Sequence, residues 1–202
     1  VQLYWNNPTT AIDGSTIREL SGTKIYLNGE LVKTINLTQA QAGQQTTEFI
    51  PMEPKTFGKV KLQSIATRNN ATAESDTSEE ILVYGGPLYS TLNETFDDLE
   101  SSIPRYTENG WVLTTIVASS APYSIATTPD ANYGNNITYT MYLAPVILGD
   151  TSNTFSFDNM SLIHKTDYGE LAMSTDWGKT WKSLNWYTIA SSENFKSKDP
   201  QG

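Results

Sequence analysis

Apolar and polar residues alternate along short stretches of this chain, and no stretch repeats its apolar positions at a helical spacing. The clearest alternation runs over residues 59–66, KVKLQSIA, with shorter examples at 1–5 and 80–84. Asn28-Gly29 lies between two further stretches of this kind and is the dipeptide that type I′ turns prefer, so it predicts a tight hairpin. The pattern therefore predicts an all-β protein built from short antiparallel strands.

A glycine and proline cluster, Gly85-Gly86-Pro87, interrupts this pattern and predicts a boundary between two domains. The first domain would cover residues 1–87 and the second residues 88–202. Within the second domain, residues 136–143, NITYTMYL, predict a hydrophobic strand.

Residues 174–181, STDWGKTW, fit the pattern S-x-D-x-G-x-T-W without a mismatch. This resembles the Asp-box, a β-hairpin signature of sialidases and many other secreted β proteins. Its fixed positions are structural, and here they are Ser174, Asp176, Gly178, Thr180 and Trp181. We expect Asp176 to accept backbone N–H groups of the turn, Gly178 to supply a positive φ, and Trp181 to cover the turn. The box occurs once and the chain has no internal period, which excludes a sialidase propeller with its repeated blades.

A series of residues in the first domain follows a familiar spacing: Trp5, Pro8, Asp13-Gly14-Ser15, Ile25-Tyr26, Asn28-Gly29, Ile65-Ala66 and Ser75-Asp76-Thr77-Ser78. The series resembles a fibronectin type III domain of the bacterial secreted kind. The resemblance implies a seven-stranded sandwich in which Trp5 and Tyr26 pack between the two sheets.

The second domain carries another series: Asp167, Gly169, Leu171, Ser174, Asp176, Gly178 and Trp181. It resembles the jelly-roll modules of immune-inhibitor-A-like peptidases, cleaved adhesins and the MAM-like group. Those modules open on a phenylalanine followed by acidic residues. The corresponding segment here, residues 96–100, departs from that pattern because Leu99 separates Asp98 from Glu100. Family members continue past the hairpin with more strands than the residues up to Gly202 allow. We therefore expect a shortened sandwich, a fragment of a longer protein, or a sheet completed by a strand from another chain.

Composition narrows the function classes. Charged residues make up 17% of the chain and the formal net charge is −9, which argues against binding nucleic acid or an anionic membrane surface. No stretch is long and apolar enough to predict a transmembrane helix. Cysteine is absent, which excludes disulfides, thiol catalysis and cysteine-based zinc sites. The abundance of Thr, Ser, Asn and Gly is typical of secreted all-β proteins, so we expect an extracellular or cell-surface location.

Exposed aromatic residues are the usual means by which a β-sandwich binds sugar rings. Trp177 is the first candidate, because it occupies a position that the Asp-box leaves unconstrained. Trp186 and Tyr187 follow as further candidates, with Tyr123 and Tyr133 behind them. The alternative for each ring is packing against a neighbouring loop or domain.

An acidic cluster near the start of the second domain is a candidate calcium site, formed by Asp97, Asp98 and Glu100. Their carboxylates are the hard oxygen ligands that calcium prefers, and the resembled adhesin modules carry structural calcium. The alternative is a solvated acidic turn. No other cofactor is expected.

His164 is the only histidine, and any Ser-His-Asp triad would have to use it. No nucleophile motif accompanies it, so the sequence predicts a protein that is not an enzyme and has no catalytic residues. Five sequons are candidate glycosylation sites, at Asn36, Asn70, Asn93, Asn136 and Asn159. Roughly three or four would arise by chance in a chain this rich in Asn, Ser and Thr.

The sequence thus predicts a non-catalytic extracellular or cell-surface module that is adhesive or binds a glycan or protein. Two alternatives stay open. One is a structural subunit of a fibre or surface layer, in which copies of the chain complete one another by strand exchange. The other is an accessory C-terminal region of a secreted peptidase.

Overall fold

The computed structural model describes residues 1–97, 104–150, 152–160, 163 and 167–187. The predicted all-β fold is confirmed, because the described residues form thirteen strands and one short 3-10 turn at Gln39–Gln41. The strands are β1 Gln2–Asn6, β2 Leu20–Leu27, β3 Glu30–Asn36, β4 Gln45–Phe49, β5 Phe57–Arg68, β6 Ala71–Thr77, β7 Ile81–Tyr84, β8 Arg105–Glu108, β9 Val112–Thr114, β10 Ser124–Ala126, β11 Thr140–Leu143, β12 Gly169–Met173 and β13 Lys182–Tyr187.

The predicted first domain, residues 1–87, is a two-sheet sandwich with two buried apolar clusters, one of which lies between the sheets and the other at Ile17, Leu20 and Leu37. One sheet has the strand order β3-β2-β5-β6, with β7 paired to the beginning of β5, and the other sheet consists of β1 and β4. All these pairings are antiparallel. Alternation directs one side chain in two toward the partner sheet, and the buried cluster between the sheets is Leu3, Ile25, Ile50 and Val60.

The predicted hairpin at Asn28-Gly29 is confirmed. Asn28 has a φ of 52° and Gly29 a φ of 85°, and β2 and β3 pair on either side of them. These two positive φ angles are those of a type I′ turn, whose twist matches the twist of the flanking strands.

The expectation for Tyr26 is wrong, whereas Trp5 packs against the core as the resemblance implied. Ile25 and Leu27 both point into the core, so the side chain between them must point to the opposite face. Tyr26 is paired with Lys61 there, and its hydroxyl donates a hydrogen bond to Gln63 at 2.8 Å.

The Gly85-Gly86-Pro87 segment is held closely against the first domain. The Gly85 amide donates to the carbonyl of Thr56 at 2.9 Å, and the carbonyl of Gly86 accepts from the amide of Lys55. A Cβ at Gly85 would collide with the carbonyl oxygen of Glu53. The chain therefore leaves the sandwich through a packed connection that only glycine fits at this point.

The described part of the second domain consists of three two-stranded antiparallel ladders, β8 with β11, β9 with β10, and β12 with β13. A parallel bridge joins Tyr89 to Val146. The strand predicted at 136–143 is shorter than expected, since pairing begins only at Thr140. Asn136 has a φ of 57°, in the left-handed region, so the chain turns at this residue and is not extended there. No helix in the described ranges is long and apolar enough to cross a membrane.

Candidate functional site

The hairpin of β12 and β13 closes on a turn whose polar side chains bond to its own backbone. The Oγ of Ser174 accepts the amide of Gly178 at 2.8 Å and donates to Oδ1 of Asp176 at 2.8 Å. Asp176 in turn accepts the amide of Thr180 at 2.9 Å and the hydroxyl of Thr180 at 2.6 Å. The Asp-box side chains therefore satisfy polar groups of the turn, as Asx-type turns do.

Two residues at the tip of this turn have positive φ, Trp177 at 61° and Gly178 at 84°. The indole of Trp181 lies against Gly178, with its Nε1 donating to the Gly178 carbonyl at 3.2 Å. A type I′ turn needs positive φ at two successive residues, and Gly178 adopts its positive φ without steric cost. The turn geometry is thus fixed from both sides, by the polar network beneath it and by one aromatic ring beside it.

Hydrogen bonds from Thr180 and Ser174 lower the pKa of Asp176 from its ordinary 3.8 to about 2. A lowered folded-state pKa means that the carboxylate stabilises the turn at every pH above 3.8, and that this contribution is lost as the pH falls toward 2. We expect the amide resonance of Thr180 to titrate with a midpoint near pH 2 in an NMR titration. The variant Asp176→Asn should lack this transition, and a midpoint near 3.8 in the unmodified protein would contradict the network.

A row of aromatic rings links the hairpin to the first domain. Tyr142 of β11 contacts Trp181 at 5.6 Å between ring centroids and Tyr106 of β8 at 6.1 Å. Tyr106 lies 6.3 Å from Phe57 of β5, which lies 4.9 Å from Tyr84 of β7. Such tilted and edge-on contacts are favourable between aromatic rings, so this aromatic row forms part of the junction between the domains.

Charged and phenolic groups accompany the aromatic row at the junction. The ammonium of Lys59 lies 3.6 Å from Glu80 of its own domain and 3.6 Å from Glu108 of the second domain. Its pKa is raised, chiefly by the Tyr106 hydroxyl. These ion pairs are partly exposed and contribute little free energy, but they restrict the docking geometry.

A second contact between the domains comes from the hairpin tip itself. The ammonium of Lys179 lies 3.2 Å from the Oη of Tyr4 and 4.8 Å from the centre of its ring. Tyr4 belongs to β1 of the first domain. Lys179 therefore brings the tip of the hairpin to the outer surface of the β1–β4 sheet.

Trp177 is the candidate binding residue that the structure places most openly, with 69% of its surface exposed. Trp186 and Tyr187 lie in β13, opposite Glu170 and Gly169, and their side chains are outside the described part of the structure. The Tyr133 hydroxyl donates to Asp167 at 2.6 Å in a partly buried position.

The remaining candidates fall partly outside the described residues. Asp98, Glu100 and His164 lie outside the described residues, whereas Asp97 is described and exposed. In the part of the chain that is described, no three acidic or histidine side chains gather into a metal-binding group. The sequon residues Asn36, Asn70, Asn93 and Asn136 are exposed, and Asn159 is half-buried.

Sequence reasoning missed Lys179, Tyr4 and the aromatic row. Tyr142 lies in a predicted strand, but no local pattern indicates which ring it meets. Lys179 and Tyr4 are 175 residues apart, so their contact depends on how the two domains dock.

Comparison of the chain with protein-family models, with curated proteins and with solved structures finds no significant match to any of them.

Proposed function

We propose that this chain is a non-catalytic extracellular or cell-surface module that binds a glycan or protein through the tip of its second-domain hairpin. The observation that carries the proposal is the tryptophan at that tip, exposed over 69% of its surface and held at positive φ. An aromatic ring presented in this way offers a flat apolar face beside polar groups, which suits stacking against a sugar ring or anchoring a protein contact.

The turn requires positive φ at position 177, and a large aromatic residue adopts this conformation at a greater cost in free energy than asparagine or glycine. In the two-residue turns at 28–29 and 69–70, the first residue with positive φ is an asparagine, which tolerates this conformation far better than a large aromatic residue. The indole regains little by packing, since most of its surface is exposed. Strain of this kind is found at functional sites, and it supports a role for Trp177 outside folding.

The architecture around the hairpin agrees with a binding module. Residues 1–87 place β1 and β4 in one sheet and β3, β2, β5, β6 and β7 in the other, which supports the proposed fibronectin type III relationship. Such sandwiches present loops and hairpins from a rigid scaffold, and binding residues concentrate there. The jelly-roll relationship of residues 88–202 and the calcium site at Asp97, Asp98 and Glu100 stay proposals of the same kind.

Replacing Trp177 with asparagine separates folding from binding. We expect Trp177→Asn to increase the free energy of unfolding by about 1 kcal/mol, because asparagine relieves the left-handed strain. The same change should weaken ligand binding at least tenfold, about 1.4 kcal/mol, through loss of the aromatic face. Thermal unfolding gives the first quantity, and a glycan array followed by titration calorimetry gives the second.

The control is Ile12→Asn, which removes a similarly exposed apolar side chain, 77% exposed, from a loop of the first domain. It should leave binding unchanged. Equal binding by Trp177→Asn and the unmodified protein would overturn the proposal. In the described ranges β1 pairs only with β4, so this sheet has open edges to which a strand of another copy could pair. A sedimentation mass that rises with concentration would therefore favour the structural-subunit alternative.

A further inference from the structure

Lys179 occupies the same four-residue turn as Trp177 and carries an ammonium group that is only partly satisfied. One of its donors meets the Oη of Tyr4 at 3.2 Å. An ammonium has three donors, so two are left for another acceptor. The contact with Tyr4 holds this group in place two residues along the turn from Trp177, on a surface to which both predicted domains contribute.

The electrostatic setting of Lys179 differs from that of the lysines in the first-domain sheets. Those lysines pair with carboxylates at 2.5–3.6 Å, in the combinations Lys24 with Glu74, Lys33 with Glu48, Lys59 with Glu80, and Lys61 with Glu80. Across the described ranges, Lys179 has no carboxylate within ion-pair distance. The nearby carboxylate of Asp176 instead accepts bonds from Ser174 and Thr180 inside the turn.

Within the described ranges Arg18, Lys55 and Lys182 also lack a carboxylate at ion-pair distance, but Lys179 is held in position by the hydroxyl and ring of Tyr4, in a protein whose formal net charge is −9. The long-range field of such a protein repels anions, so an anionic ligand needs a local positive group to bind. A neutral sugar would need only the aromatic face. The combination of an exposed indole and an unpaired ammonium therefore selects among the ligands that the hairpin tip could take.

We infer that the ligand of the hairpin tip is an acidic glycan, a polysaccharide whose sugar rings carry carboxylate or sulfate groups. The inference rests on the proposed binding function of Trp177 and specifies its ligand class. Trp177 stacks on the apolar face of one sugar ring. Lys179 donates a charge-assisted hydrogen bond to the acidic group, and Tyr4 keeps the ammonium in place.

The test compares one polysaccharide in two charge states. Polygalacturonate and its fully methyl-esterified form share the same sugar ring, and only the first carries carboxylates. In titration calorimetry at low salt, the unmodified protein should bind polygalacturonate about tenfold more tightly than the ester. Lys179→Gln should abolish that preference, whereas Lys179→Arg should keep it and Lys55→Gln, the same charge change at an exposed lysine of the first domain, should leave it intact.

Dextran sulfate and neutral dextran form a second pair, which distinguishes sulfate from carboxylate as the acidic group. A preference for the charged member of either pair that depends on Lys179 supports the inference. Equal binding of charged and neutral members, a preference that survives Lys179→Gln, or no binding of any of the four polymers overturns it. The Trp177→Asn experiment on the glycan array decides the binding function independently, so the two proposals can fail separately.

Discussion

Replacing Ile25 with alanine should lower the free energy of unfolding by about 2–5 kcal/mol. Ile25 is the most deeply buried side chain of the first domain, with 0% of its surface exposed. It lies in β2 between β3 and β5 and packs with Leu3, Ile50 and Val60. Truncation there removes apolar contacts from both sheets and leaves a cavity that neighbouring strands cannot close. Urea-induced unfolding followed by circular dichroism measures the loss.

Ile12→Ala is the matched control, because the same side chain at position 12 is 77% exposed. Its effect should stay within about 0.5 kcal/mol, as for most surface substitutions. Losses of similar size in the two variants would contradict the position of the core. A loss confined to Ile25→Ala would confirm that the sandwich is closed by the face of β2 that carries Ile25.

Local features were predictable from the sequence because their causes are local. Asn28-Gly29 forms a type I′ turn since both of its residues tolerate positive φ. The Asp176 network was predictable for the same reason, because its donors and acceptors lie within a few residues of one another. The alternation of residues 59–66 likewise shows directly in β5, where Val60 is buried.

The position of Tyr26 could have been predicted from the sequence, but the resemblance to a known family suggested the opposite face. Since Ile25 points into the core, strand geometry alone directs Tyr26 to the opposite face.

Contacts between the two domains could not be predicted from the sequence. Lys179 meets Tyr4, and Tyr106 meets Phe57, only where the predicted second domain packs against the first. No hydrophobic period or turn signal encodes such a contact.

Replacing Tyr106 with alanine should release the second domain from the first. Its ring is the link in the aromatic row between Phe57 and Tyr142, and Lys59 lies 5.5 Å from its centre. Loss of an aromatic anchor of this kind costs about 2 kcal/mol or more of docking free energy. The chain has no cysteine, so spin labels can be placed at Ile12→Cys and Leu184→Cys, two exposed positions in different domains. The distance distribution between the labels should be narrow in the parent protein and broad in Tyr106→Ala.

Tyr106→Phe is the control, because it keeps the ring contacts and removes only the hydroxyl, and it should retain the narrow distribution. Undocking also has a consequence at the hairpin tip. Lys179 is positioned by Tyr4, which belongs to the other domain, so Tyr106→Ala should reduce the preference for an acidic polysaccharide while leaving stacking on Trp177 in place. A broad distribution with an unchanged preference would mean that Lys179 acts without Tyr4, and a narrow distribution in Tyr106→Ala would show that the aromatic row does not hold the domains together.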